Sequence, residues 1–171
     1  RGQAKGLTWF TPNEEQGLTS RAQILARIIG TLGGRAAEEV IFGDTEVTTG
    51  ASSDLQSVTS MARTMVTQYG MSNIGPIALE AQQQQPFMGG GRNPGSDFSD
   101  ETAYLIDQQV KQIVAHCHEQ ALQMVTENRV AVDRIVDILL EKETISGKEF
   151  ADLLAEYREV PSKYSYSSKF A

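Results

Sequence analysis

The sequence has little of several residue types, and each shortage argues against a class of protein. Cys117 is the single cysteine, so the chain cannot form an internal disulfide. Lys and Arg number 15 against 22 Asp and Glu, a net charge of −7, which argues against a nucleic-acid-binding surface. No apolar run is long enough to cross a bilayer. With only two histidines, His116 and His118, the chain can hardly complete a zinc hydrolase site by itself.

The first residues have the pattern of a short β-strand. Leu7-Thr8-Trp9-Phe10 is rich in residues that favour strands, and Thr11-Pro12 ends the run. An isolated strand is not stable, and little else in the chain has strand character. We therefore expect partner strands in sequence that precedes Arg1, and we interpret the chain as a segment of a longer protein.

A helical period follows the strand. Ser20 and Gln23 form a capping box, and an apolar stripe with helical spacing then runs to a stop at Gly43. Gly33-Gly34 interrupts the stripe, and two glycines inside a helix cost about 1 kcal/mol each relative to alanine. We expect either close packing at these glycines or two separate helices. A turn over residues 48–54 then delivers a second helix.

Ser52 or Ser53 is the expected N-cap of the second helix, and Gly70 its expected end. Residues 81–98 are rich in glutamine and glycine and bury little, so we interpret them as a flexible connector rather than as a lid. A long helix is predicted from Ser99 to about Glu127.

Two further helices complete the predicted C-terminal lobe. One spans about residues 130–142, and a capping box at Ser146 and Glu149 opens the other. The expected fold is mainly α, a helical domain with one short N-terminal β-strand and a C-terminal helical lobe. The predicted units are residues 1–80, the loop 81–98, the helical lobe 99–160 and a tail 161–171.

The two histidines do not form a metal site on their own. His116 and His118 lie within a predicted helix, where residues two apart point to nearly opposite faces. His118-Glu119 begins the His-Glu-x-x-His pattern of zinc proteases, but Leu122 stands where the second histidine belongs. We interpret one histidine as half-buried, the other as solvated, and Cys117 as a small core residue.

Asp54 is the better candidate for a metal ligand. It belongs to the first turn of the predicted second helix, where a carboxylate interacts favourably with the helix dipole. The positions below it on the same helical face, Val58, Met61 and Met65, are apolar. A carboxylate above a core-facing stripe must be paired, hydrogen-bonded or bound to a metal. Periodicity alone favours the interaction with the dipole over the metal ligand.

Glu38 and Glu39 are further candidates near the end of the first helix. The pattern of Val40 and Ile41 brings at least one of them towards the buried side. Such a glutamate could pair with Arg35, or accept a hydrogen bond from a metal-bound histidine. An ion pair on a solvated face is the more common explanation.

Three motifs together resemble one family. Residues 1–12 resemble the segment after the catalytic helix in the FtsH family of AAA-type, ATP-dependent zinc metalloproteases of membranes. Residues 32–39 are similar to that family's Gly-Gly-Arg-x-Ala-Glu-Glu signature, and residues 48–55 to its Thr-Gly-Ala-x-x-Asp-Leu signature. The resemblance covers nearly all of residues 1–157. The residues themselves are most similar to those of cyanobacterial and chloroplast members of the family.

The resemblance implies a zinc site that this chain only partly holds. In the family, two histidines of a His-Glu-x-x-His helix and a downstream aspartate bind zinc, and the glutamate between the histidines is the general base. Asp54 aligns with that aspartate, so the resemblance puts the metal-ligand interpretation first. It also implies that Leu7-Thr8-Trp9-Phe10 pairs with an extended substrate. The catalytic helix, the ATPase domain and the membrane anchor would then precede Arg1, which leaves no catalytic residue in this chain.

The function implied is that of a membrane-anchored, ATP-dependent zinc metalloendopeptidase that degrades unfolded or damaged proteins. This chain would be the C-terminal part of its protease domain, inactive alone. The implied cofactors are zinc, and ATP with magnesium through the absent ATPase domain. The implied partners are polypeptide substrates and a homo- or hetero-hexamer on the cytoplasmic or stromal side of a thylakoid or plasma membrane. The alternative is a non-proteolytic homologue or an assembly module of a mixed ring, with subunit contacts through the helical lobe.

Overall fold

The computed structural model describes residues 18–80 and 98–157, which are almost entirely helical. The mainly α class is therefore confirmed for these ranges. The elements there are α1 (Arg21–Phe42), two 3-10 turns (Asp44–Glu46 and Thr49–Ala51), α2 (Ser52–Thr67), α3 (Asp100–Glu127), α4 (Arg129–Lys142) and α5 (Gly147–Tyr157). None of these helices is long and apolar enough to cross a membrane. The predicted strand at residues 7–10, nearly all of the predicted loop, and the tail lie outside the described residues.

The first helix begins and ends where its capping residues predict. Ser20 N donates to Gln23 Oε1 at 2.7 Å, and Gln23 N donates to Ser20 Oγ at 3.3 Å, so the capping box is confirmed. Gly43 follows the last turn with a φ of +92°, a conformation that favours glycine, and its N–H donates to Glu39 O.

Gly33 and Gly34 neither split α1 nor pack closely within the described part of the chain. The helix is continuous through both. A Cβ added at either glycine would meet no atom within 4 Å outside the neighbouring helix backbone. The expectation of two separate helices is therefore wrong, and none of the described residues packs closely against these glycines. Buried side chains on either side of the pair, Ile28, Ile29, Leu32 and Ala36, pack into the core and offset the low helix propensity of glycine.

The start of α2 differs from its prediction. Ser52 and Ser53 are the first two helical residues, and Ala51 occupies the N-cap position without a side-chain hydrogen bond. The capping side chain comes earlier, because Thr48 Oγ1 accepts from Gly50 N at 3.1 Å and so opens the preceding 3-10 turn. This turn runs directly into α2 and removes the need for a serine cap. The helix ends at Thr67, three residues before the predicted stop.

Gly70 holds a tight turn after α2, and its replacement by alanine is expected to destabilise the chain. Its φ is +59°, and an added Cβ would lie 2.8 Å from Pro76 Cα and 3.0 Å from Ile77 N. The left-handed conformation alone costs about 1–2 kcal/mol for a residue with a Cβ, and the backbone contacts add to that cost. Urea unfolding of the chain measures the loss as a lower midpoint.

The matched control for this substitution is Gly147→Ala. Gly147 is exposed at the start of α5, its φ is not in the left-handed region, and no described atom lies within 4 Å of an added Cβ. We expect this change to stay within about 0.5 kcal/mol of the parent. Equal midpoints for Gly70→Ala and Gly147→Ala would contradict the prediction.

The helices of the C-terminal half also follow their local signals. Ser99 Oγ accepts from Thr102 N at the start of α3, as predicted, and Asn128 ends that helix. The capping box before α5 is confirmed, because Ser146 N donates to Glu149 Oε2 and Glu149 N donates to Ser146 Oγ.

One apolar core joins α1, α2 and α3. Its buried members are Ile24, Ile28, Ile29, Leu32, Ala36, Val58, Ala62, Met65, Val66, Ile106, Ile113, Cys117 and Ala121. Cys117 is thus a core residue as predicted, and burial raises the pKa of its thiol to about 11. By contrast, α4 buries Ala131 alone among its residues, α5 buries none of its described residues, and these two helices pack on each other. The boundaries between the predicted units stay a prediction.

Candidate metal-ligand site at the start of α2

Asp54 lies in the first turn of α2 with its side chain exposed. The apolar face below it is confirmed, because Val58 and Met65 are fully buried and Met61 is half-buried against the core. Across residues 18–80 and 98–157, no group donates a hydrogen bond to Asp54 or forms an ion pair with it. Because the carboxylate is exposed, burial does not force a partner on it. No described residue occupies either oxygen, so both can bind a metal ion or accept a hydrogen bond from a group outside the described residues.

The segment that leads into α2 is tied to α1 by Glu38. Glu38 Oε2 accepts from Thr48 N at 2.9 Å, and Glu38 Oε1 accepts from Thr48 Oγ1 at 2.8 Å. The Thr48 hydroxyl in turn accepts from Gly50 N at 3.1 Å. One carboxylate therefore fixes both the backbone and the side chain of the residue that opens the 3-10 turn. Asp54 follows six residues later.

These hydrogen bonds also keep Glu38 ionised. The N–H of Thr48 and then its hydroxyl are the main causes that hold the pKa of the Glu38 carboxyl below its ordinary value, and Arg35 adds a smaller effect of the same sign. A lowered pKa means that the carboxylate form persists at neutral pH and is lost only in more acidic solution than usual. The anchor is therefore charged under ordinary conditions.

Glu39 has a different role from its neighbour. Its carboxylate pairs with Arg35 one helical turn earlier, as one of the sequence-based alternatives proposed. Its other oxygen lies 3.2 Å from His118 Nε2 on α3. All three side chains are at least two-thirds buried. Glu39 thus links α1 to α3, whereas Glu38 links α1 to the entry of α2.

His116 and His118 are both half-buried, so the expectation that one of them would be solvated is wrong. The two histidines lie on different faces of α3, and both faces are partly covered because α3 packs against both α1 and α2. Cys117 between them is fully buried. His118 contacts Glu39, and no contact among the described residues joins His118 to Asp54.

The described residues fit zinc only as a partial ligand set. Within the described ranges, no cluster of three or more His, Cys, Asp or Glu side chains is close enough to hold a metal ion. Asp54 offers an exposed carboxylate, which is an ordinary oxygen ligand for zinc. A structural or catalytic zinc site needs at least three protein ligands. A zinc site at Asp54 would therefore need further ligands from outside residues 18–80 and 98–157.

Thr48 is the residue of this site that sequence reasoning missed. The sequence places it in a turn and in a family signature, but does not show that its N–H and its hydroxyl donate to the two oxygens of Glu38. One signal was available: a threonine just before a turn often caps that turn, because its hydroxyl accepts a hydrogen bond from a backbone N–H. Its partner lies ten residues earlier on another element, which a local rule does not reveal.

Comparisons with known proteins find relatives along the whole chain. The sequence model of peptidase family M41 matches residues 1–153. The chain is 58% identical over 172 residues to the ATP-dependent zinc metalloprotease FtsH of Trieres chinensis, covering 99% of this chain and 27% of that protein. It is 49% identical to the ATP-dependent zinc metalloprotease FTSH 8, chloroplastic, of Arabidopsis thaliana, covering 98% of this chain and 24% of that protein. The chain therefore spans about a quarter of the length of these curated relatives.

Proposed function

Because this chain belongs to peptidase family M41, we propose that it is part of an ATP-dependent zinc metalloendopeptidase, in which it supplies the aspartate ligand of the catalytic zinc. The observation that carries the proposal is the position of Asp54. It stands exposed at the start of α2, at the top of a buried helical face, and it has no partner among the described residues. An exposed carboxylate on a rigid helix is suited to bind a metal ion held jointly with another segment.

Asp54 would hold zinc through a carboxylate oxygen, together with two histidines of a His-Glu-x-x-His helix that precedes Arg1. When bound, zinc would lower the pKa of a coordinated water and polarise the scissile carbonyl. The glutamate of that helix would be the general base, so this chain provides no base of its own. Residues Leu7-Thr8-Trp9-Phe10 would pair with the backbone of an extended substrate, which suits a protease with low sequence preference.

The wider assembly forms part of the same proposal. The relatives are named as ATP-dependent zinc metalloproteases, which supports an ATPase domain using ATP and magnesium elsewhere in the full-length protein. Unfolded or damaged polypeptides would be the substrates, and the protein would act as a homo- or hetero-hexamer anchored in a membrane. The membrane would be a thylakoid membrane with the protease domain on the stromal side, and the chloroplastic names of two relatives support a plastid location. The alternative is a plasma membrane with the protease domain on the cytoplasmic side.

The test uses the full-length protein that contains this chain. We expect about one zinc per subunit by elemental analysis, and cleavage of casein that requires ATP. The chelator 1,10-phenanthroline should stop cleavage, and added zinc should restore it, with magnesium present throughout. The non-chelating 1,7 isomer is the matched control. A purified protein that hydrolyses ATP yet holds no zinc and cleaves no casein would overturn the proposal and favour a non-proteolytic homologue.

A further inference from the structure

A groove of about 220 Å³ lies between α4 and α5. It is lined by three aliphatic and four charged side chains: Ile138, Lys142, Ile145, Glu149, Asp152, Leu153 and Glu156. The aliphatic residues are half-buried, and the charged residues around them are exposed. We propose that residues 158–171, which follow α5 directly, dock in this α4–α5 groove of their own subunit through an aromatic side chain and lysines. This inference is independent of the proposed zinc site.

The rim of the groove has negative charge that the described residues do not compensate. Lys142 Nζ lies 3.4 Å from Glu149 Oε1, and this pair neutralises one of the three acidic residues of the rim. Asp152 and Glu156 form no hydrogen bond or ion pair with any described residue. They are four residues apart on α5, so their carboxylates lie on the same face of the helix. A partner suited to this groove combines an apolar group with positive charge.

The segment of residues 158–171 has that composition. Three of its residues are aromatic and three are basic, against the single acidic Glu159: Tyr164, Tyr166 and Phe170, with Arg158, Lys163 and Lys169. Tyr164 and Tyr166 are two apart, so they would share one face of an extended segment. A cavity of about 150 Å³ lined by aliphatic and aromatic side chains is already large enough to hold benzene. The groove can therefore accept one aromatic ring while the lysines approach its acidic rim.

The segment begins close enough to reach the groove of its own subunit. α5 ends at Tyr157, and Leu153 lies about 6 Å before that end along the helix axis. The six residues 158–163 can span up to about 20 Å, which is enough for the chain to turn back along α5. A link this short gives an effective concentration of about a millimolar, so that even a weak contact is populated.

Docking would give α5 burial that the described residues do not supply. α5 buries none of its 11 residues, and its packing partner among the described helices is α4. A helix of this length is marginal in water without tertiary packing. A ring in the groove would remove Ile145 and Leu153 from water and so stabilise this end of the lobe. Undocking should therefore loosen α5 more than α1, whose apolar face lies in the core.

The first experiment uses the full-length protein shortened so that it ends at Tyr157. A fluorescent peptide with the sequence of residues 158–171 is added, and its binding is followed by fluorescence anisotropy. We expect the shortened protein to bind the peptide with a Kd below about 1 mM, the effective concentration that the covalent link provides. The intact protein should bind it far more weakly, because its own segment occupies the groove. Equal binding by the two proteins, or a weaker Kd for the shortened one, would overturn the inference.

A double substitution on α5 of the shortened protein tests the acidic rim. Asp152→Lys combined with Glu156→Lys should weaken peptide binding about 3-fold or more. Asp137→Lys combined with Glu141→Lys is the matched control, since both residues are exposed on α4 and neither lines the groove. The comparison is made at about 0.15 M salt, where charges more than about 8 Å away are largely screened. Similar affinities for the two double variants would show that this rim does not hold the peptide.

Substitutions in the peptide test the aromatic contact. Replacing Tyr164, Tyr166 and Phe170 with alanine removes every ring that could enter the groove, and should weaken binding about 10- to 100-fold. Replacing Ser165 and Ser167 with alanine is the control and should leave the affinity unchanged. Equal binding by the two altered peptides would mean that no ring is buried, contrary to the inference.

Hydrogen exchange of the intact protein provides a test that does not depend on the shortened protein folding. With the three aromatic residues of the segment replaced by alanine, the amides of α5 should exchange faster than in the parent, and those of α1 should not change. The variant with Ser165→Ala and Ser167→Ala should match the parent. Unchanged exchange in α5 contradicts the docking, and equally faster exchange in α1 counts against it as a general loss of stability.

Discussion

Replacing Asp54 with alanine in the full-length protein is expected to abolish both zinc retention and the cleavage of casein. The substitution removes one of three proposed protein ligands and leaves two histidines, too few for a catalytic zinc site. We expect the zinc affinity to fall by more than about 100-fold, since replacing residues that merely orient ligands already costs up to that factor. The fold should persist, because the Asp54 side chain is exposed and has no partner in residues 18–80 and 98–157.

Asp44→Ala is the matched control for this prediction. Asp44 is an exposed aspartate in the turn that follows α1, ten residues before Asp54. Zinc is measured by elemental analysis after gel filtration, and ATP hydrolysis reports whether the rest of the protein is intact. The prediction requires loss of zinc and of casein cleavage in Asp54→Ala alone, with ATP hydrolysis retained in both variants. Unchanged zinc content in Asp54→Ala would remove this residue from the site.

Ile28→Ala is expected to destabilise the chain by about 2–5 kcal/mol. Ile28 is 0% exposed near the middle of α1, in the core that this helix shares with α2 and α3. Truncation removes buried methyl groups and leaves a cavity that neighbouring helices can fill only partly. Because folded domains are stable by only about 5–15 kcal/mol, the loss is large enough to leave the variant close to unfolding.

The measurement is urea unfolding, with a lower midpoint and an unchanged slope as the expected signature. Leu140→Ala provides the control, since it also removes an aliphatic side chain but from a position that is 78% exposed on α4. We expect that variant to unfold within about 0.5 kcal/mol of the parent. Similar losses in both variants would show that the core does not lie where α1, α2 and α3 meet.

The sequence predicted those helix starts that are fixed by hydrogen bonds between residues close together in the chain. The capping boxes at Ser20 and Ser146 involve residues three apart, and both are present in the structure. The family resemblance, carried by motifs across the chain, is confirmed by the match to peptidase family M41. The predicted cap at Ser52 or Ser53 is wrong, because the entry to α2 is organised by Glu38 from another element. A rule that considers only adjacent residues cannot detect that contact.

In the candidate site, too, the sequence predicted the local features but not the contacts between residues far apart in the chain. The family resemblance predicts Asp54 as a ligand, and helical periodicity correctly placed it above the buried Val58 and Met65. Its role as a ligand remains a prediction. The local sequence does not reveal the role of Thr48, because its partner Glu38 lies ten residues earlier in the chain. The half-burial of both histidines likewise follows from how α3 packs on two helices, which depends on the arrangement of the fold rather than on the local sequence.

The shared core of α1, α2 and α3 also has a consequence for the order of events during synthesis. The apolar face of α1 is complete at Phe42, but the last core residue of α3, Ala121, is added roughly eighty residues later. At about 5–20 residues per second, the ribosome needs about 4–16 s to make that stretch. During this interval, among the described helices, α1 can pack on α2 once that helix has been made, but α3 is not yet available to complete the core. The nascent chain is therefore most exposed to aggregation and to chaperones before α3 emerges.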